Sequence, residues 1–81
     1  TLSQNEHLRI FVAQNMDTLA KEISMGRGET LASLAELMQV PSEKRGEFNT
    51  TLQANFDRIF TSAAVTEREV IDNIAQVANL I

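Results

Sequence analysis

Val65-Thr66-Glu67-Arg68-Glu69-Val70-Ile71-Asp72-Asn73-Ile74-Ala75-Gln76-Val77-Ala78 is the stretch whose pattern decides the fold. Thr66, followed three residues later by Glu69, is a capping box: the hydroxyl accepts from the Glu69 amide, and the Glu69 carboxylate reaches back to the amide of residue 66. Val65 and Val70 have the spacing of a hydrophobic staple. Ile71, Ile74, Val77 and Ala78 continue an apolar stripe at intervals of three and four, with Ile81 extending it. An amphipathic helix is expected over 67–80, and its apolar face needs other elements to cover it.

Reading back toward the N-terminus, the same logic yields three more helices. Ser42 is a plausible N-cap for a helix over 43–60, with Phe48, Leu52, Phe56, Ile59 and Phe60 on its buried face. Gly46 in its opening turns weakens it by about 0.5–1 kcal/mol relative to alanine, unless something packs closely there. A shorter helix is expected over 29–39, with Leu31, Leu34, Ala35, Leu37 and Met38 as its stripe. It stops at Val40-Pro41 because the residue before proline is pushed out of the helical region. Ser3-Gln4-Asn5-Glu6 reads as another capping box opening a helix over 4–25. Leu8, Phe11, Val12, Met16, Leu19, Ala20 and Ile23 form its face, and Gly26 supplies a left-handed stop. The expected fold is all-α: one domain, 1–81, a compact bundle of about four amphipathic helices arranged as two helical hairpins.

Composition agrees and excludes much. Three glycines, one proline and four phenylalanines in 81 residues favour helices. With no cysteine and one histidine, neither a disulfide, a thiolate metal site nor a multi-histidine zinc site can form within the chain. Seven Lys/Arg against eleven Asp/Glu, a net charge of −4, argue against nucleic-acid binding. No apolar run is long enough to span a bilayer. Leu2 to Ile10 is too polar for a signal peptide, as expected of a processed chain or a trimmed domain.

Sliding the chain by forty residues aligns its halves without a gap. Leu8, Val12, Asn15, Met16, Asp17 and Leu19 fall on Phe48, Leu52, Asn55, Phe56, Asp57 and Ile59. Glu29, Leu31, Leu34, Ala35 and Leu37 fall on Glu69, Ile71, Ile74, Ala75 and Val77. Only four aligned positions are identical, so shared helical periodicity explains the match at least as well as duplication does.

Residues able to carry chemistry are few. His7 sits in the first turn of its helix with no partner set for acid–base work, and reads as a surface histidine. Glu22, Glu36, Glu43, Glu47 and Asp72 lie mostly off the apolar stripes, as solvated charges do. Gly26-Arg27-Gly28-Glu29 could form an anion-binding nest, but reads more simply as a C-cap leading into a turn. Asn15 and Asn55 interrupt helix interiors beside the stripe. They are either register-fixing hydrogen bonds or a paired polar floor in an apolar groove. Met16, Met25 and Met38 fill a core or line an adaptable surface.

Three segments carry a resemblance: Phe11-Val12-Ala13-Gln14-Asn15-Met16-Asp17-Thr18-Leu19-Ala20, Gly26-Arg27-Gly28-Glu29-Thr30-Leu31-Ala32-Ser33-Leu34-Ala35, and Gln53-Ala54-Asn55-Phe56-Asp57-Arg58-Ile59-Phe60 followed by Val65-Thr66. They resemble the C-terminal helical part of a family of small exported proteobacterial proteins, catalogued as a domain of unknown function. The likeness runs from about Asn5 to Val70, and the turn commonly GQGE in the family is GRGE here. The resemblance implies a periplasmic or cell-envelope location, and upstream signal-peptide and glycine-rich, cysteine-containing regions in the longer protein. It transfers no activity.

The expected role is non-enzymatic and without a cofactor: an interaction or oligomerisation module that packs an apolar helical face on a protein partner or a second copy. The wide apolar arc of the 29–39 helix points to Leu34, Leu37 and Met38 as partner-surface residues. The rival expectation is a carrier that holds an apolar ligand or lipid in a cavity lined by Phe11, Phe48, Phe56 and Leu37.

Overall fold

A computed structural model describes the backbone of residues 2–79 and the side chains of residues 6–79. The described residues form six α-helices: α1 (Leu2–Gln14), α2 (Met16–Met25), α3 (Glu29–Leu37), α4 (Arg45–Ala54), α5 (Phe56–Ile59) and α6 (Glu67–Ala78). A 3-10 turn, Ser42–Lys44, leads into α4. The fold is all-α, as expected, but the count of four is corrected to six. The two longest expected helices are each broken at an asparagine, 4–25 at Asn15 and 43–60 at Asn55.

The two breaks share one construction. Asn15 lies at φ −128°, ψ 22° and Asn55 at φ −114°, ψ 25°, outside helical geometry. Each side-chain amide donates backward to the carbonyl four residues earlier, Asn15 Nδ2 to Phe11 O and Asn55 Nδ2 to Thr51 O, both at 2.8 Å. At Asn15 the side chain thus takes the place that a continuing helix gives to the backbone N–H, whereas at Asn55 it joins the backbone N–H on Thr51 O. The Asn15 backbone amide turns instead to Val12 O at 3.1 Å. Around the breaks, residues 11–20 and 51–60 share the same burial class at all ten positions. The likeness loosens afterwards: Leu34 and Ile74 are both buried, but Ala35 is buried where Ala75 is exposed.

Replacing either asparagine by the isosteric aspartate removes the donor and sets a carboxylate against a carbonyl. Asn15→Asp is expected to cost about 1–3 kcal/mol, because Phe11 O then loses its side-chain donor in a half-buried position. Asn55→Asp is expected to cost less, because Thr51 O also accepts from the Asn55 backbone amide. Urea denaturation of the two variants side by side checks the order.

Two other boundaries shift for stated reasons. Helix α3 ends at Leu37 rather than 39, before the proline acts. Gln39 takes a left-handed φ of 61°, its amide donates to Glu36 O at 3.0 Å, and the Val40 amide donates to Ala35 O at 2.9 Å. That is a Schellman turn with glutamine where glycine is usual. Ser42 opens the 3-10 turn and does not cap a long helix directly. Nothing lies within 4 Å of a Cβ built on Gly46, so no close packing explains that glycine. The backbone is already helical at Leu2, ahead of the expected start. The Ser3 side chain of the proposed capping box, and Ile81, lie outside the described residues.

The Thr66 capping box is present as read: the Glu69 amide donates to Thr66 Oγ1 at 3.2 Å, and the Thr66 amide donates to Glu69 Oε1 at 3.1 Å. Val12, Leu19, Ile23, Leu31, Leu34, Ala35, Phe48, Leu52, Ile59, Val70, Ile74 and Val77 form one core drawn from all six helices. Helix α3 packs on α1, α2 and α4, while α6 packs on α1, α4 and α5. The radius of gyration, 11.3 Å, is close to the roughly 12 Å expected for a single compact domain of this length.

Candidate functional site

The breaks place a groove of partly exposed apolar side chains. Met16 and Phe56 are the first residues after the two asparagines, and one turn on come Ala20 and Phe60. These four half-buried residues, with Asp17, Ser62, Ala63 and Val65, line a groove of about 460 Å³ between α2 and α5. The Phe56 and Phe60 rings stack with centroids 5.1 Å apart and an interplanar angle of 28°. Such a pair holds a flat apolar wall at little entropic cost.

The groove exists because α5 stops after one turn where α2 runs for ten residues. Phe60 leaves the helix at ψ 81°. Ser62 then diverts the chain: its hydroxyl accepts from the Ala64 amide at 3.2 Å, and its carbonyl accepts from the Val65 amide at 3.2 Å. Serine and threonine favour such local bonds over helix continuation. The segment from Phe60 to Val65 therefore forms one wall of the groove. Apart from the Asp17 carboxylate and the Ser62 hydroxyl, the lining side chains are apolar.

The residues singled out from the sequence do not converge on one site. Leu34 is fully buried in the core and has no surface to offer a partner. Leu37 and Met38 are half-buried. Of the wide apolar arc of α3, Leu31, Leu34 and Ala35 are buried, on a helix that packs against three others. Met38 lines a separate depression of about 270 Å³ with Gln39, Val40, Pro41, Lys44, Phe48 and Ala78. The four residues of the expected carrier cavity are split: Phe56 lines the α2–α5 groove and Phe48 the depression beside α3, while Phe11 and Leu37 line neither.

The carboxylate beside the Gly26–Glu29 turn is the chain's own. Gly26 closes α2 in the left-handed region at φ 74°, with the Arg27 amide donating to Glu22 O at 3.1 Å. Glu22 Oε1 accepts from the Leu31 amide at 2.9 Å, capping the start of α3 from outside. A Cβ at Gly28, whose φ is 146°, would fall onto that carboxylate.

His7 is exposed, and no group of three His, Cys, Asp or Glu side chains able to hold a metal lies among the described residues. Asn15 and Asn55 bond within their own helices, not across the bundle. Met16 lines the groove and Met25 is 48% exposed at the end of α2. Sequence reading assigned Phe56 and Phe60 to a buried stripe and missed Ser62 and Ala63 as lining residues. The available signal was an asparagine ahead of the aromatic pair and a Thr-Ser step just after it.

The model of a family described as a protein of unknown function (DUF3015) matches residues 1–80 of the chain. No curated protein and no solved structure matches it. No described helix is long and apolar enough to cross a membrane.

Proposed function

We propose that this chain, which belongs to the DUF3015 family of proteins of unknown function, is a non-enzymatic interaction module of the cell envelope that binds a protein partner through the α2–α5 groove. Its fold is read as two helical hairpins, each a broken helix crossed by a shorter one, with the groove where the two breaks meet. The observation that carries the reading is the set of half-buried apolar side chains, Met16, Phe56, Phe60 and Val65, left open between exposed Asp17, Ser62 and Ala63. An apolar floor with a polar rim is the anatomy of a protein interface. The envelope location rests on the sequence resemblance.

Carriage of an apolar ligand is the second reading, favoured by a groove volume within the range of small-molecule sites. The exposed lining residues favour a partner's side chains over an enclosed ligand. A photo-crosslinking amino acid at exposed Ala63, with exposed Ala32 on α3 as control, separates the two readings. The expected result in envelope fractions is a discrete protein adduct from position 63 and none from position 32. Light scattering of the purified protein then tells whether the partner is a second copy. Identical adducts from both positions, or a lipid adduct at position 63, would reject the partner reading.

A further inference from the structure

We propose that the concavity between α1 and α6 binds a small amphipathic monoanion, a carboxylate on a short alkyl chain. Leu8 and Arg9 of α1 and Arg68, Ile71 and Asp72 of α6 line a depression of about 290 Å³. That volume sits at the lower edge of small-molecule sites, which suits a single short chain rather than a diacyl lipid. Leu8 and Ile71 are half-buried and pack against the core, so the floor is apolar. Arg9 and Arg68 are exposed beside it.

The charge arrangement selects the ligand. The chain carries only seven Lys/Arg and a net charge of −4, yet two arginines from opposite ends of the sequence line this one depression. Asp72 lies one turn from Arg68 on the same face of α6. Two guanidinium groups and one carboxylate leave a single positive charge, the complement of a monoanion. The planar donor fork of arginine matches a carboxylate, and its alkyl stem extends the apolar floor. The neighbouring Glu69 does not line the depression, and its carboxylate accepts from the Thr66 amide and hydroxyl. The site shares no lining residue with the α2–α5 groove and stands or falls independently of it.

Titration of the isotope-labelled protein with sodium octanoate, followed by amide and methyl NMR shifts, tests the proposal. Octyltrimethylammonium and inorganic phosphate serve as comparators. Octanoate is expected to move signals of Leu8, Arg9, Arg68 and Ile71, with the cation leaving them unmoved. Affinity should fall at least tenfold in the Arg9→Gln/Arg68→Gln variant and rise severalfold in Asp72→Asn. All three positions are exposed, so an unchanged thermal transition is expected to accompany these effects. Equal response to the cation, or equal octanoate affinity in the double arginine variant, would overturn the site. Inorganic phosphate binding as tightly as octanoate would overturn the role of the apolar floor.

Discussion

Leu34→Ala is expected to lower the free energy of unfolding by about 2–5 kcal/mol, visible as a fall in the urea midpoint at unchanged slope. Leu34 is wholly buried, on a helix that packs against three others, and the side chains around it come from separate elements. A cavity there cannot collapse without moving a whole helix, which places the cost toward the upper part of that range. A domain of this size has a total stability of roughly 4–12 kcal/mol, so the variant loses a large share of it. Leu37→Ala, three residues on and half-buried, should lose about 1 kcal/mol. The pair separates two roles for the α3 stripe. A partner-facing leucine tolerates truncation in the isolated chain, whereas a core leucine does not. Near-equal, small losses at both positions would refute the core assignment of Leu34.

Gly28→Ala is the second large effect, expected at about 2–4 kcal/mol. Its φ of 146° and ψ of 161° lie in a region essentially reserved for glycine, worth about 1–3 kcal/mol of strain to any other residue. A Cβ there also displaces the Glu22 carboxylate, whose bond to the Leu31 amide is worth about as much as an N-cap, roughly 0.5–2 kcal/mol. A double-mutant cycle with Glu22→Ala isolates the second part. With the carboxylate already gone, Gly28→Ala should cost only the backbone strain, and the two changes together should fall short of their sum by about 1 kcal/mol. Strict additivity would refute the contact. Gly46→Ala is the natural control, because Gly46 has open space around its Cβ position and a negative φ.

Both variants bear on how the chain reads. The capping box at Thr66 was legible because it is local: two side chains and two amides within one turn meet whatever the rest of the molecule does. The cap on α3 was not legible, because Gly28 has no side chain and the group that serves the helix start is Glu22, on the preceding helix. The pattern Gly26-Arg27-Gly28-Glu29 read first as a C-cap, which Gly26 is, with an anion nest as the alternative, and only the fold shows that the Glu22 carboxylate lies there. Among the described residues, each apolar stripe in the sequence marks real core positions, yet each of the two long stripes conceals a break. Val12 and Leu19, like Leu52 and Ile59, are seven residues apart and both buried across an asparagine. Seven residues is about two helical turns, so the break returns the chain to the same face and periodicity does not register it.

The candidate groove was hidden for the same reason. Phe56 and Phe60 satisfy the buried stripe of an unbroken helix. The break at Asn55 and the early end of α5 bring them partly to the surface beside Met16 and Ala20. Leu34 shows the converse: its stripe is wide enough to suggest an outside partner, and the fold supplies three inside partners instead.

The sequence by itself determined that this protein is helical, where three of its connections fall, and which residues tend to be apolar and inward, since these follow from local propensities, caps and a 3.6-residue period. Only the tertiary structure decided where two helices break, which carboxylate caps α3, and which apolar residues remain partly open at the surface. Those outcomes depend on what approaches from elsewhere in the chain, and a one-dimensional pattern holds no record of that approach.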